Sequence, residues 1–196
     1  MTNFINRSFI AIIYSSIFLF SLFYDSKIFL ILGIVLTSLV ILEFIRISKL
    51  NFYNSLLGLS IYIILVFFLK YESKLSNIFL AISLLTNLYL FFNLILNKSF
   101  KFEKKILLLL LIFHVILSLY FLFKLPFSQN NYDPLKLFFL LLVIWSSDSA
   151  GYLFGIKFGK RKLMKSISPK KTIEGLIASL FFASIISLFF GFLIDY

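Results

Sequence analysis

Apolar runs of about 20 residues follow one another along almost the whole chain, and only short polar stretches separate them. A helix needs roughly 20 apolar residues to cross the hydrocarbon core of a bilayer. With 61% hydrophobic residues and a mean hydropathy of +1.05, a soluble fold could not bury this much apolar surface. The sequence therefore predicts an all-α, polytopic transmembrane helix bundle that forms one domain over residues 1–196, with seven spans at about 6–24, 28–48, 54–70, 76–96, 105–125, 135–156 and 172–194.

Basic residues in the short loops predict the orientation of these spans. A cytoplasmic N-terminus places 14 of the 19 Lys and Arg residues on the cytoplasmic side, which is the positive-inside distribution. These are Arg7, Arg46, Lys49, Lys98, Lys101, Lys104, Lys105, Lys157, Lys160, Arg161, Lys162, Lys165, Lys170 and Lys171. We therefore expect an integral protein of the bacterial inner (plasma) membrane, with its N-terminus and its active site facing the cytoplasm.

The net charge of +11 is concentrated in these loops. Lipid headgroups are the natural partners of cations beside a membrane span, so we expect the chain to bind the bilayer and no nucleic acid. The chain contains no cysteine, which excludes disulfides and metal sites built from thiolates.

Asp148 is an ionisable residue near the cytoplasmic end of the sixth predicted span. A charged side chain inside a span costs roughly 2.5–3.5 kcal/mol on insertion scales, so such residues usually face the bundle interior or a wet cavity. Two interpretations stay open. Asp148 binds a divalent metal ion, or it is structural and pairs with a basic side chain or with a neighbouring serine hydroxyl.

Three glycines follow Asp148 at intervals of four residues and form one helical stripe: Gly151, Gly155 and Gly159. Small residues at this spacing let two helices approach closely, and packing alone can explain the first two. Gly159 lies in a basic loop, where a glycine lets the backbone approach a phosphate group.

The basic loop ends in a pattern that is typical of a helix start. Ser168 fits an N-cap and Pro169 the first helical position, which places Lys170 and Lys171 in the first turn. Cations there oppose the helix dipole, whereas the free N–H groups attract anions. The two lysines are therefore candidates for binding nucleotide or lipid phosphate. Glu174 is a candidate for binding metal, orienting a lysine or offsetting charge.

Other polar residues have simpler interpretations. Glu43 and Arg46 lie three residues apart near the end of the second span, which favours an interfacial ion pair. His114 is alone in a Leu-rich span and is expected to be a neutral, packed histidine. Among the loop cations, a solvated anchor at the membrane surface is the favoured interpretation for Lys160, Arg161, Lys162 and Lys165.

The segment from Asp148 to Gly175 resembles the conserved segment of phosphatidate cytidylyltransferases (CDP-diacylglycerol synthases). That family shows an intramembrane Asp followed by small residues and an aromatic residue, matched here by residues 148–152. A Phe-Gly-Lys turn follows, matched by residues 158–160. The pattern Ser-Pro-Lys-Lys-Thr-x-Glu-Gly is matched in full by residues 168–175. Arg7 before the first span and Glu43-Phe44 in the second are weaker similarities.

The resemblance implies a nucleotidyl transfer of phospholipid biosynthesis, CTP + phosphatidic acid → CDP-diacylglycerol + pyrophosphate, with Mg²⁺ as cofactor. It implies catalytic roles for Asp148, Lys170 and Lys171, with Asp148 as the metal ligand. Substrate binding would involve Gly159, Lys160, Ser168 and Glu174. The implied partners are CTP, phosphatidic acid, the bilayer, and either a second copy of the chain or a complementing C-terminal fragment.

One departure from the family concerns the C-terminal signature. Family members continue into a polar stretch rich in Lys, Asp, Gly and His, and no such stretch precedes Tyr196. The departure is compatible with a truncated gene product, a fragment, one half of a split synthase that is inactive alone, or a degenerate relative, so independent activity of this chain stays open. Two alternatives stay open, namely a CTP-dependent polyprenol or phytol kinase and a non-catalytic membrane protein that binds anionic lipid.

Overall fold

The structure, a computed structural model, describes residues 2–67, 74–96, 103–127, 131–164 and 168–194. These residues form seven helices: α1 (Thr2–Tyr24), α2 (Ser26–Ser48), α3 (Tyr53–Phe67), α4 (Lys74–Ile95), α5 (Lys104–Lys124), α6 (Pro134–Phe158) and α7 (Ile173–Ile194). A short antiparallel hairpin of β1 (Lys162–Met164) and β2 (Ser168–Thr172) connects α6 to α7. The predicted all-α membrane fold is confirmed, and the hairpin is an addition that the sequence did not predict.

Five of these helices are long and apolar enough to cross a membrane. They are α2, α4, α5, α6 and α7, whereas α3 and the apolar part of α1 (Phe9–Tyr24) are shorter than 18 residues within the described ranges. The predicted spans agree with the helices in position. The count of seven membrane crossings and the cytoplasmic N-terminus stay predictions.

The ends of α2 illustrate how local sequence sets the helix boundaries. Asp25 is the N-cap, and its Oδ1 accepts hydrogen bonds from the backbone N–H groups of Lys27 at 2.7 Å and Ile28 at 3.3 Å. At the other end Lys49 adopts a left-handed conformation with φ 53°, and its N–H donates to the carbonyl of Arg46. These contacts satisfy backbone groups that a helix leaves without internal partners.

The chain divides into two compact units, the first ending at Pro134 and the second beginning at Leu135. In the first unit, α2, α3 and α5 contribute to a buried cluster that includes Ile41, Tyr62, Leu111 and Ile116. Within α5, residues Leu111–Ile116 form a π-helical segment, a local widening that inserts one extra residue per turn.

His114 lies in this π-helical segment and is half-buried. Its Nδ1 lies 2.7 Å from Oδ1 of Asn87 on α4, and the Asn87 amide donates to the hydroxyl of Ser118 at 3.3 Å. The packed position predicted for His114 is therefore confirmed. These bonds link α4 to α5 inside the membrane-spanning region.

The predicted ion pair between Glu43 and Arg46 is wrong. Both side chains are exposed on α2, and no ion pair within 4 Å joins them. Positions three apart on a helix can meet. An exposed pair gains little net free energy from doing so, because solvent screening and side-chain entropy offset the attraction.

The second unit contains α6, the hairpin and α7. Aromatic rings pack the two helices together along their length, with ring centroids 4.5 Å apart for Phe139 and Phe190 and 5.6 Å apart for Phe154 and Phe182. The hairpin lies at the end of both helices, so it sits where the apolar spans meet the polar loop.

Candidate active site

Small residues bring α6 and α7 into close contact beside the hairpin. A Cβ added to Gly175 would lie 2.7 Å from the carbonyl oxygen of Gly151 and 3.2 Å from Cα of Gly155. A Cβ added to Gly151 would collide with the hydroxyl of Ser179. That hydroxyl donates a hydrogen bond to the carbonyl of Ser147 at 2.9 Å. The glycine stripe of α6 therefore packs against a matching stripe of small residues on α7, as its spacing predicted.

Gly159 also has a packing role. A Cβ at this position would lie 2.6 Å from Cγ2 and 2.8 Å from Oγ1 of Thr172, and it would collide with the carbonyl oxygen of Gly155. Only a residue without a side chain fits between the end of α6 and the start of α7. The contact of Gly159 with a phosphate group stays a prediction.

Thr172 is the residue that caps α7. Its Oγ1 accepts a hydrogen bond from the backbone N–H of Gly175 at 3.2 Å, the geometry of an N-cap three residues before its donor. The helix begins at Ile173, so the prediction that Ser168 is the N-cap and Pro169 the first helical residue is wrong. Residues 168–172 instead pair with β1, and the strand keeps the chain extended as far as the cap.

The hairpin contains a bulge that the two lysines occupy. Lys162 pairs with Thr172 and Met164 with Ser168. One residue therefore separates the paired positions on β1, and three separate them on β2. Lys170 and Lys171 lie in this longer stretch and not in the first turn of a helix, which corrects the predicted placement.

The bulge explains how two consecutive lysines reach one pocket. Successive side chains of a regular strand point to opposite faces, whereas a bulge interrupts this alternation and redirects side chains. Lys170 and Lys171 are both exposed and both line a pocket of about 810 Å³ in the second unit. The polar residues lining this pocket are Asp148, Lys162, Lys170, Lys171, Thr172 and Ser179.

Asp148 lies in α6, one turn before the first glycine of the stripe, and lines the same pocket. Its side chain is exposed, and the described residues offer it no hydrogen bond and no ion pair. Ser146 donates instead to the carbonyl of Val143 at 2.9 Å. The structural interpretation of Asp148, with a basic or serine partner, therefore finds no support in these contacts.

Glu174 holds the loop that joins α6 to the hairpin. Its Oε2 accepts hydrogen bonds from the backbone N–H groups of Lys160 at 3.0 Å and Arg161 at 3.2 Å, and its Oε1 lies 3.2 Å from Nε of Arg161. The carbonyl of Arg161 in turn accepts from the N–H of Ile173 at 2.9 Å. Glu174 thus offsets positive charge, one of the roles considered for it, and its carboxylate is directed to the loop.

The predicted site residues fall into two groups. The pocket brings together Asp148, Gly159, Lys170 and Lys171. Ser168, Lys160 and Glu174 do not line it, and substrate binding by these three stays a prediction that the contacts do not favour.

Three polar residues of the pocket were missed as site residues. Lys162 was interpreted as an anchor at the membrane surface. Thr172 and Ser179 carried one usable signal, since Thr172 follows the lysines directly and Gly175 and Ser179 repeat the four-residue spacing of the glycine stripe. Matching the two stripes would have placed Ser179 opposite α6.

The pocket contains one carboxylate, and no group of three or more His, Cys, Asp or Glu that could hold a metal ion occurs in the described ranges. Mg²⁺ in nucleotide sites is usually bound through one or two carboxylates together with substrate phosphates. Asp148 therefore fits a metal ion that arrives with a nucleotide. The lining does not form a metal site built from protein groups alone.

Comparison with known proteins extends these observations to the whole chain. The model of the cytidylyltransferase family matches residues 5–195, a range that includes every residue lining the pocket. No curated protein and no solved structure matches the chain significantly. Since the match spans nearly all of the sequence, the chain belongs to the cytidylyltransferase family.

Proposed function

We propose that the protein is a phosphatidate cytidylyltransferase, which converts CTP and phosphatidic acid to CDP-diacylglycerol and pyrophosphate. Family membership supports a CTP-dependent nucleotidyl transfer. The observation that carries the proposal is the shared pocket, in which an unpartnered carboxylate on α6 faces the same cavity as the two lysines of the hairpin.

In the proposed reaction, a phosphate oxygen of the lipid attacks the α-phosphorus of CTP. The new P–O bond forms as the bond from the α-phosphorus to the β-phosphate oxygen breaks, and pyrophosphate leaves with the electron pair. Both reactants are anions, so the protein must bring them together and offset the charge that they concentrate.

Lys170 and Lys171 meet that requirement because their ammonium groups are point charges suited to phosphate oxygens. Their position on a bulged strand, and not in a helix turn, supplies both charges from adjacent residues to one cavity. We assign them to the phosphates of CTP or of the lipid. Asp148 would hold Mg²⁺, which supplies Lewis-acid polarisation of the phosphoryl oxygens when bound.

The rest of the pocket supports an acceptor that is a lipid. Four apolar or aromatic residues line it and are at least partly exposed at the protein surface: Tyr152, Ile156, Leu163 and Leu176. Tyr152, Ile156 and Leu176 lie on the two membrane helices, where they would contact acyl chains, and Leu163 lies on the adjoining β1. The cavity therefore has charged groups for a headgroup beside apolar surface for the attached tails.

The proposal is tested with the purified chain in lipid nanodiscs that contain phosphatidic acid, to which labelled CTP and Mg²⁺ are added. We expect labelled CDP-diacylglycerol and release of pyrophosphate, and we expect Asp148→Asn to abolish both. Glu103→Gln is the matched control, because Glu103 is an exposed carboxylate outside the pocket with no side-chain cap bond.

Three outcomes would count against the proposal. Undiminished product from Asp148→Asn would exclude the metal role of this residue. Release of CDP with a phosphorylated alcohol, when a polyprenol or phytol is supplied, would identify a kinase instead. Binding of anionic lipid without any turnover of CTP would favour a non-catalytic protein.

A further inference from the structure

Lys162 differs from the other cations of its loop by its position. It lies on β1, pairs across the hairpin with Thr172, and lines the pocket beside Asp148. Cross-strand partners project on the same side of a hairpin, so Lys162 shares the side of the residue that caps α7. The pairing thus fixes Lys162 at the pocket, although its sequence context is that of a membrane-surface anchor.

Its neighbours in the loop have other contacts. Arg161 pairs with Glu174, and the backbone N–H of Lys160 donates to the same carboxylate. Lys157, in the last turn of α6, lies over the ring of Phe158 with its Nζ 5.5 Å from the ring centroid. None of these three lines the pocket. The fold therefore separates Lys162 from Lys157, Lys160 and Arg161, while Lys165 lies outside the described residues.

Lys162 also has no acidic partner within ion-pair distance among the described residues. With Lys170 and Lys171 it makes three ammonium groups around a pocket whose lining contains one carboxylate, Asp148. Like charges that share a cavity repel one another, and a cavity in which positive groups outnumber negative ones attracts anions. An anionic ligand with several oxygens would relieve the repulsion at all three lysines.

We infer that Lys162 is a third phosphate-binding lysine of this pocket, acting with the two lysines of β2. The inference rests on the proposed function only for the source of the anion, which that function takes to be a phosphate of one of the two substrates. A phosphate oxyanion could come from the nucleotide or from the lipid headgroup. Both sources offer the same chemistry to an ammonium group.

The experiment measures binding and not turnover, so it does not depend on catalysis. Wild-type chain and the variants Lys162→Gln, Lys162→Arg and Lys157→Gln are placed in nanodiscs of neutral lipid. The dissociation constants of CTP with Mg²⁺, and of inorganic pyrophosphate, are measured by titration. Phosphatidic acid is measured separately, as the mole fraction in neutral nanodiscs that gives half-maximal binding.

Loss of a charge-assisted hydrogen bond to phosphate predicts an affinity about ten-fold or more weaker for Lys162→Gln. The arm in which the loss appears identifies the source: CTP and pyrophosphate for the nucleotide, phosphatidic acid for the lipid. Lys162→Arg should stay within about three-fold of wild type, because a guanidinium keeps the positive charge and also donates charge-assisted hydrogen bonds to phosphate oxygens. Lys157→Gln removes the same charge outside the pocket and should bind as wild type does.

Equal affinities of wild type and Lys162→Gln for all three probes would overturn the inference. An equal loss in Lys162→Arg and Lys162→Gln would also overturn it, since the defect would then follow shape and not charge. Pyrophosphate binding that depends on Lys162, without binding of CTP or phosphatidic acid, would uphold the inference and reject the proposed function. Absence of binding of every probe by wild type would reject both.

Discussion

The close approach of α6 and α7 beside the pocket can be tested by the substitution Gly175→Ala. The added Cβ would lie 2.7 Å from the carbonyl oxygen of Gly151, and 3.2 Å from Cα of Gly155. Both are backbone atoms, which cannot rotate away as a flexible side chain can, so the helices must separate. Overpacking of this kind typically costs about 1–3 kcal/mol.

Gly191 provides the matched control on the same helix. Nothing lies within 4 Å of a Cβ added there, so Gly191→Ala tests the residue change without the clash. Alanine favours a helix over glycine by up to about 1 kcal/mol at either position. The difference between the two variants therefore isolates the cost of the contact with α6.

Thermal unfolding in detergent, followed by circular dichroism, measures that difference. For a chain of this size each kcal/mol moves Tm by roughly 2–4 °C, so Gly175→Ala should unfold about 2–12 °C below Gly191→Ala. CTP binding should weaken in parallel, because Gly175 also lines the pocket. Equal Tm values for the two variants would refute the close helix contact on which the pocket depends.

Three further predictions concern the hairpin and the start of α7. Thr172→Val removes the helix cap and should destabilise the chain by about 1 kcal/mol in denaturant titrations, whereas Thr172→Ser keeps the hydroxyl and should not; equal losses would contradict the cap. Glu174→Gln should speed hydrogen exchange at the two loop amides that donate to its carboxylate, measured by mass spectrometry, and unchanged exchange would show that the bonds do not hold the loop. Replacing Lys170 and Lys171 together by Ala should weaken the binding of CTP or phosphatidic acid at least about ten-fold relative to Lys157→Ala. If the double variant and Lys157→Ala bind both ligands equally well, the two lysines are membrane-surface anchors and not ligand-binding residues.

The membrane helices could be predicted from the sequence because their signal is long and local. Each apolar run exceeds the length of ordinary elements, and the described helices agree with the predicted spans in position. The hairpin could not be found in this way. Its strands have three and five residues, and the second contains a proline and two lysines, a composition with no strand pattern.

The predicted cap of α7 was Ser168, whereas the observed cap is Thr172. Both fit the preference for a hydroxyl residue, and Ser168 gained from the proline that follows it. Pairing of Thr172 with Lys162 decides the matter, because it keeps β2 extended up to the cap. A pairing between residues ten positions apart cannot be predicted from the residue types next to the helix start.

The candidate site was partly predictable for a related reason. Asp148, Lys170 and Lys171 were recognisable because an acidic residue in a span and paired lysines after a loop are unusual on chemical grounds. Lys162 could not be distinguished from the other basic residues of its loop by type or spacing. The cross-strand pairing with Thr172 is the feature that distinguishes Lys162 from the basic residues of the loop that do not line the pocket.

The central claim is that the carboxylate of Asp148 and the two β2 lysines share one pocket that binds CTP. Covalent footprinting of the wild-type chain tests it directly, with an amine reagent and a carboxylate reagent applied with and without CTP and Mg²⁺. Mass spectrometry should show protection of Asp148, Lys170 and Lys171, while Lys157 and Glu103 react at unchanged rates. Protection of Lys170 and Lys171 without protection of Asp148 would contradict the account. Reaction rates that CTP and Mg²⁺ leave unchanged at all five residues would also contradict it.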